Sequence, residues 1–261
     1  MNTHDDRSQR FLDSHEELAP GQGFRFACHP GVPCFGACCS ALTLMLTPHD
    51  ALRLRRATGQ RSREFIQGYA EMAPLPDSGL PLLRLRMLGG EAKKCPFVRP
   101  EGCAVYENRP SACRTYPLGR ATKPGADGGL DEQIFVIRER HCRGFEERTE
   151  WTPETWLADQ GLAEYNAGND RYMALAAGLR DLCKAGGGKL GPKHIGMAGL
   201  ALYQPDEFQA FLGQSGLLER LDLDDAQKAA ILGDEAACLT FAYGWLELSF
   251  LGKTESLKPK E

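Results

Sequence analysis

Eight of the chain's ten cysteines fall between Cys28 and Cys142, and only Cys183 and Cys238 lie in the last 119 residues. This clustering constrains the fold more than any other feature. A chain of 261 residues can bury a full core and needs no disulfide staples. Met1–Arg10 carries Asp5, Asp6 and Arg7 and no apolar run, so no export signal is expected. The expected compartment is then the reducing cytoplasm, where dense cysteines serve as metal ligands or redox centres more often than as disulfides.

The cysteines form two sets. The first is Cys28-x5-Cys34-x3-Cys38-Cys39; the second is Cys95-x7-Cys103-x9-Cys113, completed by Cys142 from a separate element. Thiolates in such number suit tetrahedral zinc or an iron–sulfur cluster. Structural zinc sites draw paired ligands from tight knuckles spaced C-x2–4-C, and only Cys34 and Cys38 meet that spacing. The adjacent pair Cys38-Cys39 is awkward for one small ion, because neighbouring side chains diverge, but suits two metals or two corners of a larger cluster. Both features favour iron–sulfur or multinuclear binding, with zinc as the alternative. The 55 residues between Cys39 and Cys95 do not forbid a meeting of the two sets, since loop-closure entropy grows only logarithmically. One centre shared by both sets is expected.

Around these sets the chain divides into a polar lead-in, residues 1–22, a cysteine-cluster metal-binding domain over 23–182, a Gly-rich linker over 183–193 and a helical lobe over 194–254. The fold class expected is α+β: a small irregular β-containing metal core with helices around it and a helical C-terminal lobe. Phe24 to Cys28, Leu42–Thr47, Leu83 to Met87 and Gln133–Arg138 read as strands. Thr47-Pro48-His49-Asp50 and Thr152-Pro153-Glu154 open helices, with threonine at the N-cap and proline at the first helical position. A helix over Ser62 to Met72 is closed by Pro74 and Pro76, and 154–182 is mostly helical. The segment Lys93–Arg120 reads as loop, and the glycines at 125, 128 and 129 continue that character. Asp224 and Gln227 have capping-box spacing.

Charge is uneven: residues 81–123 hold nine Lys/Arg against three Asp/Glu, and 201–239 hold two against eight. Arg109, Arg114 and Arg120 stand among the cysteine loops, where a guanidinium offsets the charge of thiolates. Arg109, Arg114 and His141, which adjoins Cys142, are the expected supporting residues; His29, beside Cys28, could like His141 ligate or donate a hydrogen bond but is read as a satisfied loop histidine, and His49 as an exposed residue of a first helical turn. Cys183 and Cys238 pack as small hydrophobes. The tryptophans at 151, 156 and 245 read as core, which argues against a stacking platform for nucleic acid. The stretch His194–Pro205, free of charge, is too short for a membrane helix.

The run Cys28-His-Pro-Gly-Val-Pro-Cys34-Phe-Gly-Ala-Cys38-Cys39, followed by Leu46-Thr47-Pro48-His49-Asp50, Cys95-Pro96-Phe97 and Gly102-Cys103 through Tyr116-Pro117, resembles the YkgJ-type cysteine-cluster proteins, the zinc- or iron-chelating CxxCxxCC family. The resemblance covers about residues 24–145, with wider gaps before Cys34 and Cys38 than the short C-x2-C-x2-CC form. It implies that Cys28, Cys34, Cys38, Cys39, Cys95, Cys103, Cys113 and Cys142 bind metal, Cys142 within a closing Cys-Arg-Gly element. Flagellin lysine methylases carry a comparable cysteine set, which keeps a metal-dependent methylase-like enzyme among the readings. No G-x-x-x-x-G-K-[ST], H-E-x-x-H, G-x-S-x-G or C-x3-C-x2-C run is present. The leading expectation is an iron–sulfur protein with a redox or cofactor role; the alternative from another class is a zinc-stabilised module that binds a protein partner.

Overall fold

A computed structural model describes residues 14–124, 130–252, 254 and 256–260. Helix makes up 49% and strand 16%, the strands in small sheets, which is the α+β class expected. Contacts divide the chain into two compact units, 1–42 with 87–166 and 43–86 with 167–261. The expected linker over 183–193 falls inside the second unit, where the Leu190 N–H donates to Ser78 O at 3.1 Å.

The cysteine-bearing unit has little regular structure. Its longest ladder is an antiparallel hairpin, Leu118–Pro124 with Leu130–Val136, edged by the two-residue strand Glu16–Glu17. The loop expected through Arg120 overlaps the first arm of that hairpin, where Gly119 and the preceding Pro117 mask the pairing; the glycines at 125, 128 and 129 lie outside the described residues. Phe24–Arg25 pairs antiparallel with Glu150–Trp151. Leu18, Phe24, Phe26, Leu118, Ile134, Val136 and Trp156 form the core, with Tyr116, Cys142 and Phe145 packed against it. Helix Pro153–Asp159 opens on Thr152, as the sequence requires. It ends at Gln160-Gly161, where the glycine takes a left-handed φ of 59°, and a second helix, Leu162–Leu182, follows.

In the other unit, Pro81–Leu85 is the middle strand of an antiparallel sheet between Met45–Leu46 and Ala70–Pro74. Leu83 and Leu85 are buried while Arg84 is exposed and ion-pairs across the ladder with Glu71. The helix expected over Ser62 to Met72 stops at Tyr69, and its last residues become the strand Ala70–Pro74. Pairing with Pro81–Leu85 supplies the backbone partners that helix would otherwise have given. Helix Pro48–Thr58 carries a full capping box: Asp50 N–H donates to Thr47 Oγ1 at 3.3 Å and Thr47 N–H to Asp50 Oδ2 at 3.2 Å. His49 is not exposed; it is half-buried, with its Cβ 2.9 Å from where a side chain on Gly168 would begin.

Helices Pro192–Tyr203, Pro205–Ser215, Asp225–Gly233 and Glu235–Leu246 complete this unit, around Ala198, Phe208, Leu212, Phe241 and Leu246, all almost fully buried. Cys238 is 0% exposed, with its thiol 3.9 Å from Pro205 O. Trp245 packs on Phe208 at 5.5 Å, so it belongs to the core. Asp224 and Gln227 exchange the two capping bonds that their spacing predicts, at 2.9 and 2.7 Å. Replacing Asp224 with alanine strips the side chain that caps Gln227 N–H, so Asp224→Ala is expected to cost about 1 kcal/mol. Urea denaturation should show a lower midpoint at an unchanged slope.

Candidate metal centre

The segment from Cys28 to Cys39 is a succession of tight turns. Val32 N–H donates to His29 O, Phe35 N–H to Val32 O, Ala37 N–H to Cys34 O and Cys39 N–H to Gly36 O, at 2.9 to 3.1 Å. Gly36 sits at φ 75°, a conformation costly for any residue with a Cβ, and so lets the chain double back between Cys34 and Cys38.

This coil is joined at one end by Cys142. The pairing of Phe24–Arg25 with Glu150–Trp151 continues through bonds from Phe26 N–H to Thr149 O at 2.9 Å and from Ala27 N–H to Gly144 O at 3.0 Å. The two chains are drawn together so closely that a Cβ on Gly144 would lie 2.6 Å from both Ala27 O and the Phe26 ring. The glycine of the closing Cys-Arg-Gly element is therefore required by backbone approach. Cys28, Cys34, Cys38 and Cys142 line one cavity with Phe26, Val32, Tyr116, His141 and Gly144. Arg143 N–H donates to Cys34 Sγ at 3.0 Å.

Cys39 faces a different set. Ser40 bridges Lys94, Cys95 N–H donates to Cys39 O at 2.8 Å, and the chain then turns through the short hairpin Val98–Arg99 with Gly102–Cys103. Cys113 is carried on the helix Ser111–Thr115. Thus the charges of Cys95 and Cys113 act on Cys39, and that of Cys103 acts on Cys95. The structure interleaves the sequence sets: Cys142 joins Cys28, Cys34 and Cys38, while Cys39 goes with Cys95, Cys103 and Cys113.

The two groups meet at Cys38 and Cys39. Adjacency does not part these thiols, since a hydrogen bond from Cys39 pulls Cys38 down to about 7 and the same bond, followed by burial, pushes Cys39 far up. Burial first, and then the charges of Cys38, Cys34 and Cys142, raise Cys28 to about 11. Among the described residues no three Cys, His, Asp or Glu side chains are already drawn in closely enough to share an ion. The donor set nevertheless fits a thiophilic metal: eight free thiols in one unit, in two groups of four, whose mutual repulsion a cation would relieve.

Arg109 and Arg114 are 7% and 8% exposed. The Arg109 guanidinium lies 3.7 Å over the Tyr106 ring, donates to Tyr106 O at 2.8 Å and bonds the Gln160 side chain. Its charge is felt by Cys103 and Cys113 and by Cys28. Arg114 faces main chain instead of a thiol, donating to Gln160 O and Glu107 O at 2.7 Å each. Arg120 pairs with Glu132 at 2.8 Å. His141 lines the cavity with its Nδ1 3.7 Å from Glu139. His29 stays exposed, its Nδ1 accepting from Gly31 N–H at 3.2 Å. Gln160 is a residue that the cysteine pattern does not announce; the helix-ending pair Gln160-Gly161 is the available signal for it.

Aromatic side chains wall the cavity. Phe26 packs edge-on to Tyr116 at 5.9 Å and to Trp156 at 5.6 Å, and lies 5.2 Å from Phe145. Trp156 Nε1–H and Trp151 Nε1–H donate to Thr115 O and Phe26 O, both at 2.9 Å, so these tryptophans are core, as expected. The Tyr116 hydroxyl is buried with its hydrogen-bond geometry unmet, and burial first, then Cys142, raise its pKa.

Gly144→Ala should cost about 1–3 kcal/mol, the usual price of overpacking, by forcing the segment that carries Cys142 away from Ala27. A lower Tm together with reduced metal retention is the expected result of calorimetry and elemental analysis on the variant.

A family model described as "Putative zinc- or iron-chelating domain" matches residues 27–160, just over half of the chain and all eight clustered cysteines. No curated protein and no solved structure matches it. With its cysteines gathered in this way and that model spanning them, the chain belongs to the zinc- or iron-chelating CxxCxxCC family.

Proposed function

We propose that the chain is an iron–sulfur protein with a redox or cofactor role, its metal held by Cys28, Cys34, Cys38, Cys39, Cys95, Cys103, Cys113 and Cys142. The observation that carries this reading is the contact between the Cys38 and Cys39 thiols, each of which belongs to a different group of four. Two groups joined through neighbouring residues suit multinuclear chemistry better than a knuckle built around one structural ion.

When bound, an iron–sulfur centre supplies a group that accepts and returns single electrons. The chain's own residues prepare the surroundings. Arg143 N–H bonds a ligand sulfur, a contact that stabilises negative charge on it. Arg109 brings a buried positive charge to both groups. Phe26 and Tyr116 line one side of the cavity, where their apolar surface strengthens electrostatic interactions inside. Reduced thiols are needed for ligation, which supports a cytoplasmic setting. No helix among the described residues is long and apolar enough to cross a membrane.

Protein purified without oxygen is expected to contain iron and acid-labile sulfide and to absorb broadly in the visible. Stoichiometric zinc without sulfide, in a colourless preparation, would overturn the iron–sulfur reading and support the zinc-stabilised interaction module. Cys183→Ala and Cys238→Ala should leave metal content unchanged, because both lie outside the cysteine-bearing unit; Cys38→Ser should lower it.

A further inference from the structure

We infer that the eight thiols make two metal sites of four, Cys28, Cys34, Cys38 and Cys142 in one and Cys39, Cys95, Cys103 and Cys113 in the other, joined at the peptide bond between Cys38 and Cys39. The inference rests on the metal-binding reading above and goes beyond it in number and division. Each site would take a thiophilic metal ion or an iron–sulfur cluster, both of which accept four thiolates.

Backbone pairing makes the division. The bond from Ala27 N–H to Gly144 O and the strand pair that continues it bring Cys142 to Cys28, although 113 residues separate them by number, 142 less 28 giving 114 steps along the chain. The bond from Cys95 N–H to Cys39 O and the bridge of Ser40 with Lys94 bring the second set to Cys39 and not to Cys28. One cavity is lined by all four thiols of the first site. The hairpin of Val98–Arg99 with Gly102–Cys103 turns Cys103 back toward the segment that carries Cys95. A single four-thiol centre would leave four partly buried thiols in the same unit without a role. Two centres use all eight, and the turn at Gly36 is what sets Cys38 and Cys39 between them.

The test counts metal in full-length protein purified without oxygen, in three forms: unaltered, Cys28→Ser with Cys142→Ser, and Cys95→Ser with Cys113→Ser. Each double variant should keep about half of the metal of the unaltered chain, as independent sites require. Loss of all metal from both double variants would overturn the division and indicate one shared centre. Metal-free unaltered protein would instead remove the metal-binding reading, and this inference with it. Because a variant can lose metal by misfolding, native mass spectrometry of the unaltered chain under limiting iron and sulfide supplies a second reading. A singly loaded species should precede a doubly loaded one; saturation at one centre per chain would overturn the inference.

Discussion

Thiolates repel one another and burial disfavours their charge, so a cation that binds a group of thiols takes the place of protons and relieves that repulsion. Cys28 shows both effects, held at about 11 by burial and by the charges of Cys38, Cys34 and Cys142, and burial likewise raises Cys95. Metal binding must therefore release protons, and acid must oppose it. The cysteine-bearing loops are tied by single turns and two-residue strand pairs, which ligation at the proposed sites would reinforce.

The remainder of the unit packs around these cysteines. Phe26 is the hub, touching Tyr116, Phe145 and Trp156 and lying against Gly144, so the strand that carries Cys28 and the segment that carries Cys142 share one packing surface. Gln160 fastens the other side: its side chain meets Arg109 and its carbonyl meets Arg114. Burial disfavours the charge of Arg109, and a thiolate-ligated metal, whose net charge is negative, would offset that penalty.

What the sequence made legible was local. The threonine caps at Thr47 and Thr152, the box of Asp224 with Gln227 and the alternation of Leu83, Arg84 and Leu85 are each written within a few residues, and each has its expected form. What escaped depends on partners distant in the chain. Ala70–Pro74 is a strand because Pro81–Leu85 lies beside it. Cys142 belongs with the first cysteines because Ala27 meets Gly144. The side chain of Arg114 turns from the adjacent Cys113 because a carbonyl 46 residues away receives it. Spacing names candidate ligands; it does not say which of them stand together.

On the proposed ligand set sulfur alone holds the metal, with His141, Arg109 and Arg114 outside its coordination. X-ray absorption at the edge of the metal present in anaerobically purified protein tests this directly. The account predicts a first shell made up of sulfur, with no nitrogen or oxygen scatterer at bonding distance. A shell containing imidazole nitrogen or carboxylate oxygen would contradict it.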